Sequence, residues 1–139
     1  MTLALDTNAV QALLQRNHLF QAQALEIVAT QPQGRHLVIS PFVYAECYGI
    51  PSFDESTFLT ILEEAQITVD MNLPTNLWRR AGLAHSDYHK QHRREGKREP
   101  KRLLADFLIG AHALSIGASL MTFDTKGYQA SFPELELLP

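Results

Sequence analysis

Four acidic residues stand where short apolar runs meet polar ones. Asp6 ends the run Leu3-Ala4-Leu5, and Asp124 follows Leu120-Met121-Thr122-Phe123. Glu46 lies six residues beyond Ser40, and Asp106 opens the apolar stretch that leads toward Leu120. Taken singly each acid has an ordinary explanation: Asp106 favouring a helix N-terminus, Asp124 starting a turn, Glu46 solvated on a surface. Brought together they repel, by about 4 kcal/mol per pair at 4 Å and an effective dielectric near 20. A cluster of that kind persists by holding protons or by binding a hard cation. Ligands that are all oxygen, with neither Cys nor His, select Mg²⁺ or Mn²⁺ over zinc. Such an ion polarises a phosphoryl oxygen, activates water and steadies a leaving oxygen in an in-line displacement. Asp6, Glu46, Asp106 and Asp124 are thus both the candidate metal ligands and the candidate catalytic residues. Thr7, Asn8, Ser40 and Thr122 are suited to hydrogen-bond those acids or a bound water.

The elements that must carry these residues follow from periodicity. Thr2 to Leu5, Leu37 to Ser40, Ile67 to Val69 and Ser119 to Phe123 read as strands, with a short fifth over Leu135 to Leu138. Helical spacing marks Asn8 to Arg16, Phe20 to Thr30, Glu55 to Ala65 and Leu104 to Ile116, and Pro74 opens a long helix running through Trp78 and Leu83. Ser40-Pro41 is a helix start, with serine as N-cap and proline at the first helical position. Strands that are nearly continuous apolar runs, alternating with helices, predict a three-layer α/β/α fold around a central, mainly parallel sheet of four to five strands. Ligands of such sheets bind beyond the carboxyl ends of the strands, where Asp6 and Asp124 fall. On the helix after residue 103, Asp106, Gly110, Ala113 and Gly117 share one face, small apart from its carboxylate, so this helix is expected to approach the sheet closely.

The 139 residues favour one domain, 1–139. Hydrophobic residues at 45% and charged residues at 19% exclude a disordered chain. A lone cysteine, Cys47, excludes an intrachain disulfide framework and fits a reducing compartment. The start Met1-Thr-Leu-Ala-Leu-Asp6 has no basic stretch ahead of an apolar run, and no apolar run reaches the ~20 residues of a membrane span, so a soluble cytoplasmic protein is expected. The net charge of −3 conceals an asymmetry: residues 90–102 hold seven Lys and Arg against two Glu, a net +5, which leaves −8 elsewhere. Lys90, Arg93, Arg94, Lys97, Arg98, Lys101 and Arg102 read either as a solvated face or as a strip that releases counterions from a polyanion. Tyr88 in this region is suited to stacking on a base, and Gly96 and Pro100 mark a helix end followed by a loop.

The motifs Leu5-Asp6-Thr7-Asn8, Ile39-Ser40-Pro41 leading to Ala45-Glu46, Asp106 with Leu108-Ile109-Gly110-Ala111-His112-Ala113, and Met121-Thr122-Phe123-Asp124 resemble, in order and over nearly the whole chain, those of PIN domains, and specifically of VapC-type toxin ribonucleases. Tyr128, Phe132-Pro133 and the apolar strand after them are also similar. The resemblance implies a Mg²⁺- or Mn²⁺-dependent endoribonuclease acting on RNA phosphodiester bonds, a homodimer, and a cognate antitoxin protein that blocks the site. It also implies that Asp6, Glu46, Asp106 and Asp124 form the acidic quartet, with Thr122 supporting the last acid and Thr7 or Asn8 orienting water. The basic stretch is longer than the family pattern demands, and is expected to grip the RNA backbone upstream of Asp106.

Other readings compete. A haloacid-dehalogenase-type phosphatase needs a second carboxylate two residues after Asp6, where this chain has Asn8. His85, His89 and His92 share a helix face, but Ser86 stands where a zinc hydrolase motif has glutamate, so solvated or RNA-facing histidines are expected. Cys47 has no activating histidine near it in sequence, His112 reads as a packed or capping residue, and Tyr48 and Trp78 as core or interface. Two functional alternatives stay open: a catalytically silent PIN-fold module that binds nucleic acid or a partner, and a DNA-directed nuclease with the same metal site.

Overall fold

The structure is a computed structural model that describes residues 1–96 and 102–139. Its strands are β1 (Thr2–Leu5), β2 (His36–Ile39), β3 (Ile67–Val69), β4 (Ser119–Met121) and β5 (Leu137–Leu138). They form one sheet in the order β3-β2-β1-β4-β5, and every neighbouring pair is parallel. Parallel pairing needs a crossover between strands, and the helices supply it. They are α1 (Thr7–Leu14), α2 (Gln21–Ala29), α3 (Pro41–Cys47), α4 (Glu55–Glu64), α5 (Thr75–Arg94), α6 (Leu104–Ser115) and α7 (Thr125–Ser131). The result is the three-layer arrangement predicted from the alternating pattern, with the sheet wholly parallel. Among the described residues no helix is long and apolar enough to cross a membrane.

The core accounts for the predicted strands. Leu3, Ala4 and Leu5 of β1, Leu37, Val38 and Ile39 of β2, and Leu120 and Met121 of β4 are all buried, because both sheet faces are covered. β1 is central, so its carboxyl end projects Asp6 between the ends of β2 and β4. Ser40 caps α3 as expected: its Oγ accepts from Val43 N at 3.2 Å, with Pro41 at the first helical position.

Several expectations need correction. β4 ends at Met121: Thr122 N still donates to Leu138 O (2.9 Å), but Phe123 N turns to Asn8 Oδ1 (3.1 Å) and Asp124 N to Thr122 Oγ1 (3.0 Å), so side chains take the donors that a longer strand would pair. The small face of α6 receives a side chain: a Cβ at Gly110 would lie 2.4 Å from Phe132 Cε2. Gly117 lies beyond α6, with φ +66, where it ends the helix in the left-handed region. Gly96 does the same after α5 with φ +70, as the sequence predicted, and Pro100 lies outside the described residues. Trp78 is 49% exposed and meets Phe42 edge-on at 5.8 Å, so the core half of its core-or-interface reading is excluded.

Candidate active site at the carboxyl edge of the sheet

Asp6 is 5% exposed and lies where the central strand passes into α1. Its Oδ1 accepts from Thr7 N at 2.7 Å, which makes it the N-cap of α1, and its Oδ2 accepts from Thr122 Oγ1 at 2.8 Å. Burial raises its pKa from 3.8 to about 6; the hydrogen bonds from Thr122 and Thr7 oppose that rise, and the charge of Asp106 adds to it. Thr122 is fully buried and is the hub of the edge, since its Oγ1 also accepts from Asn8 Nδ2 (3.3 Å) and from Asp124 N. Thr7 turns outward to Glu46, donating its hydroxyl to Oε1 at 2.6 Å. This bond ties the start of α1 to α3, the helix that carries Glu46. Asp106 sits in the first turn of α6, where its Oδ2 accepts from Leu103 N at 3.0 Å.

Asp6, Glu46 and Asp106 therefore address one edge, with Thr7, Asn8 and Thr122 holding the frame. Ser40 acts on it only through α3, whose start it caps. Asp124 is placed differently from the sequence expectation: its Oδ2 is held by Arg102 Nη1 at 2.7 Å. Among the described residues no group of three or more acids, histidines or cysteines closes into a metal-ligating set. The donor chemistry nonetheless suits a hard cation. Asp6 is a buried carboxylate raised toward neutrality by lack of solvent and by Asp106, and a divalent ion beside it would relieve both causes.

The basic strip divides. Lys90, Arg93 and Arg94 are exposed on the last turns of α5. Lys97, Arg98 and Lys101 lie outside the described residues. Arg102 turns inward, its side chain only 11% exposed. The histidines also depart from expectation. His92 is buried and stacks on Tyr88, with centroids 5.5 Å apart, while His85 packs edge-on against Phe107 at 5.4 Å. Tyr88, half-buried, receives Arg102 N on its hydroxyl at 3.3 Å instead of offering a free face. Cys47 is fully buried and its thiol is pushed up to about 12, by burial first and then by Glu46 and Asp6, which ends any nucleophile reading.

Tyr128 escaped sequence reasoning as a site component, whereas His112 is the packed residue that the sequence suggested. Tyr128 on α7 is fully buried, and among the described residues its hydroxyl has no hydrogen-bond partner of sound geometry. It lies close enough to Asp6 and Asp106 for their charges to add to the rise that burial imposes on it. His112 is buried on α6 and bonds Asp70 Oδ2 through Nε2 at 2.9 Å, a pair linking α6 to the end of β3. No spacing signalled the Asp70 bond or the place of Tyr128 beside Asp6, because those residues stand far apart along the chain.

Residues 3–133 match the PIN domain family, and the chain belongs to that family. Solved structures share the fold. A Mycobacterium tuberculosis VapC20 structure, described as a sarcin–ricin loop cleaving toxin, is 14% identical, with 94% of this chain and 95% of that one covered and a TM-score of 0.68. VapBC2 of Rickettsia felis, bound to a promoter DNA fragment, is 21% identical over 99% and 98% of the two chains, with a TM-score of 0.62. VapBC-1 of nontypeable Haemophilus influenzae is 24% identical over 99% and 97%, with a TM-score of 0.60. No curated protein is significantly similar to the chain in sequence.

Proposed function

We propose that this chain, as a single domain over residues 1–139, is a metal-dependent endoribonuclease of the VapC type, the toxin of a type II toxin–antitoxin pair. Membership of the PIN family supports this, as do similar solved chains that occur in toxin–antitoxin complexes, and one described as cleaving the sarcin–ricin loop. The observation that carries the reading is Asp6: a carboxylate buried at a sheet edge and raised to about 6, chiefly by burial with the charge of Asp106 adding to it. Asp6, Glu46 and Asp106 would hold Mg²⁺ or Mn²⁺, with Asp124 completing the set. When bound, the ion supplies Lewis-acid polarisation of a phosphoryl oxygen and a water of lowered pKa.

The remaining work falls to this chain's own side chains. Thr122 fixes the rotamer of Asp6, Thr7 fixes Glu46, and Asn8 clamps the turn that presents Asp124. Lys90, Arg93 and Arg94 attract the RNA backbone electrostatically, joined by Lys97, Arg98 and Lys101, whereas Arg102, turned inward on Asp124, is not part of that exposed face. The implied partners are a cognate antitoxin and a second copy of the chain, in the cytoplasm.

The test is cleavage of structured RNA and of single-stranded DNA in Mg²⁺, Mn²⁺ or EDTA. RNA cut in either metal but not in EDTA, and at least about a hundredfold less by Asp6→Asn, is the expected outcome. Cutting of DNA alone reassigns the substrate. One observation favours a second reading: Arg102 already neutralises Asp124 internally, as a silent binding module would allow. No turnover, with RNA affinity unchanged in Asp6→Asn, would establish that module instead.

A further inference from the structure

The Arg102 guanidinium lies over the Tyr128 ring, 4.8 Å from its centroid, and 5.8 Å from that of Phe107. Gly127 forms the floor of this seat, since a Cβ there would fall 1.7 Å from Nη1. The shape is built for an arginine, but the hydrogen bonding is incomplete. Nη1 bonds Asp124, while Nε and Nη2 are buried without a hydrogen-bond partner among the described residues. Those two nitrogens form the side-on edge with which a guanidinium takes two oxygens of a phosphate. Asp124 is 54% exposed, so the ion pair holding Arg102 is open to competition from solvent ions. Beside it lies a cavity of about 500 Å³ lined by Tyr88, His92, Arg102, Asp106 and Asp124, which places the arginine next to the acids of the proposed metal site.

Building on the metal-nuclease reading, we propose that Arg102 has two positions. In the free chain it occupies the place of a divalent cation at Asp124. When Asp124 is given over to the cation, Arg102 turns its Nε–Nη2 edge to a phosphodiester of the substrate. Arg102 is then a positioning residue that couples cation and phosphate binding, and by linkage each strengthens the other.

A double-mutant cycle reads this without turnover. Affinity for a fluorescein-labelled single-stranded RNA is measured in EDTA for the wild type, Asp124→Asn, Arg102→Gln and the double variant. Removing the Asp124 charge should tighten binding about three- to tenfold when Arg102 is present, and less than about twofold when it is glutamine. An equal gain in both backgrounds reduces the effect to charge removal and overturns the proposal. In parallel, free Mn²⁺ counted by electron paramagnetic resonance should show Arg102→Gln binding the ion several-fold tighter than the wild type, and equal or weaker binding overturns it too. Should Arg102→Gln fail to fold, the Nε–H of Arg102 decides by nuclear magnetic resonance: it should exchange slowly with water in the wild type and rapidly in Asp124→Asn or with Mg²⁺, and slow exchange throughout refutes the second position. Mn²⁺ binding that ignores Arg102 removes only the two-position arginine. Absence of Mn²⁺ binding in both proteins removes the metal-nuclease reading along with it.

Discussion

Asp6→Asn is expected to stabilise the metal-free chain at neutral pH, although it removes a residue placed at the centre of the site. The Asp6 carboxyl titrates near 3.8 when unfolded and near 6 when folded, chiefly because burial disfavours its charge. A shift of about two units corresponds to roughly 3 kcal/mol of destabilisation once both states are ionised. Below pH 3.8 both states hold the proton and the group contributes nothing. Between 3.8 and 6 only the folded state holds it, so stability falls as pH rises through this window, and above 6 the penalty is complete. Asparagine carries no such penalty, but it loses one hydrogen bond. Its Oδ1 can still accept from Thr7 N, whereas its amide would face Thr122 Oγ1, which already accepts from Asn8 and Asp124 and now donates to Asp6. That loss costs about 1 kcal/mol, leaving a net gain of about 2 kcal/mol at a pH of about 7.5. Urea unfolding in EDTA, followed by circular dichroism, measures it, and the gain should shrink by about 2 kcal/mol at a pH of about 4.5. A variant less stable than the wild type at the higher pH, or a gain identical at both pH values, would refute the assignment of Asp6 as a carboxylate strained by burial. Mg²⁺ should raise the wild-type midpoint and leave that of the variant where it was.

Gly127→Ala puts a Cβ where Arg102 Nη1 now sits; because that atom is the far end of a flexible side chain and alanine favours α7, stability in the same unfolding assay should change by less than about 1 kcal/mol, and a larger loss would show that Arg102 cannot leave its seat. Cys47, buried and with its thiol pushed up to about 12, should react with a thiol reagent only as fast as the chain unfolds; rapid labelling of native protein would contradict its placement. Burial lowers the pKa of His112 below 6.5 while Asp70 opposes it, so the unfolded state takes up a proton first and stability falls below that pH. Asp70→Ala should therefore lose about 1–3 kcal/mol through the broken bond, and lose more at a pH of about 5.5 than at about 7.5, as compared by urea midpoints. Neutralising Arg93 and Arg94 should flatten the logarithmic salt dependence of RNA binding by nearly one unit of slope for each phosphate no longer engaged, and an unchanged slope would take the exposed end of α5 off the RNA path.

The architecture was legible because it rests on short-range rules. Runs such as Leu3-Ala4-Leu5 and Leu37-Val38-Ile39 are apolar at successive positions, as a strand covered on both faces requires, and Ser40-Pro41 satisfies the orphan amides of a helix start from within the local chain. Asp6 and Asp124 could be placed at one edge because parallel strands all end on the same side. Which acids face one another was not legible. Arg102 and Asp124 are 22 residues apart and could have stood apart in solvent; Gly127, Phe107 and Tyr128 together shape the seat that draws one to the other. His92 gave the pattern of a solvated cation-strip residue, and its stacking on Tyr88 buries it. Gly110 read as room for the sheet, and Phe132 fills that room. The sequence by itself determined the strands, the helices and the edge on which the acids gather, since periodicity and caps act over a few residues. The tertiary structure alone decided which side chains are charged, paired or buried at that edge, because those properties depend on solvent exclusion and on partners brought together only by folding.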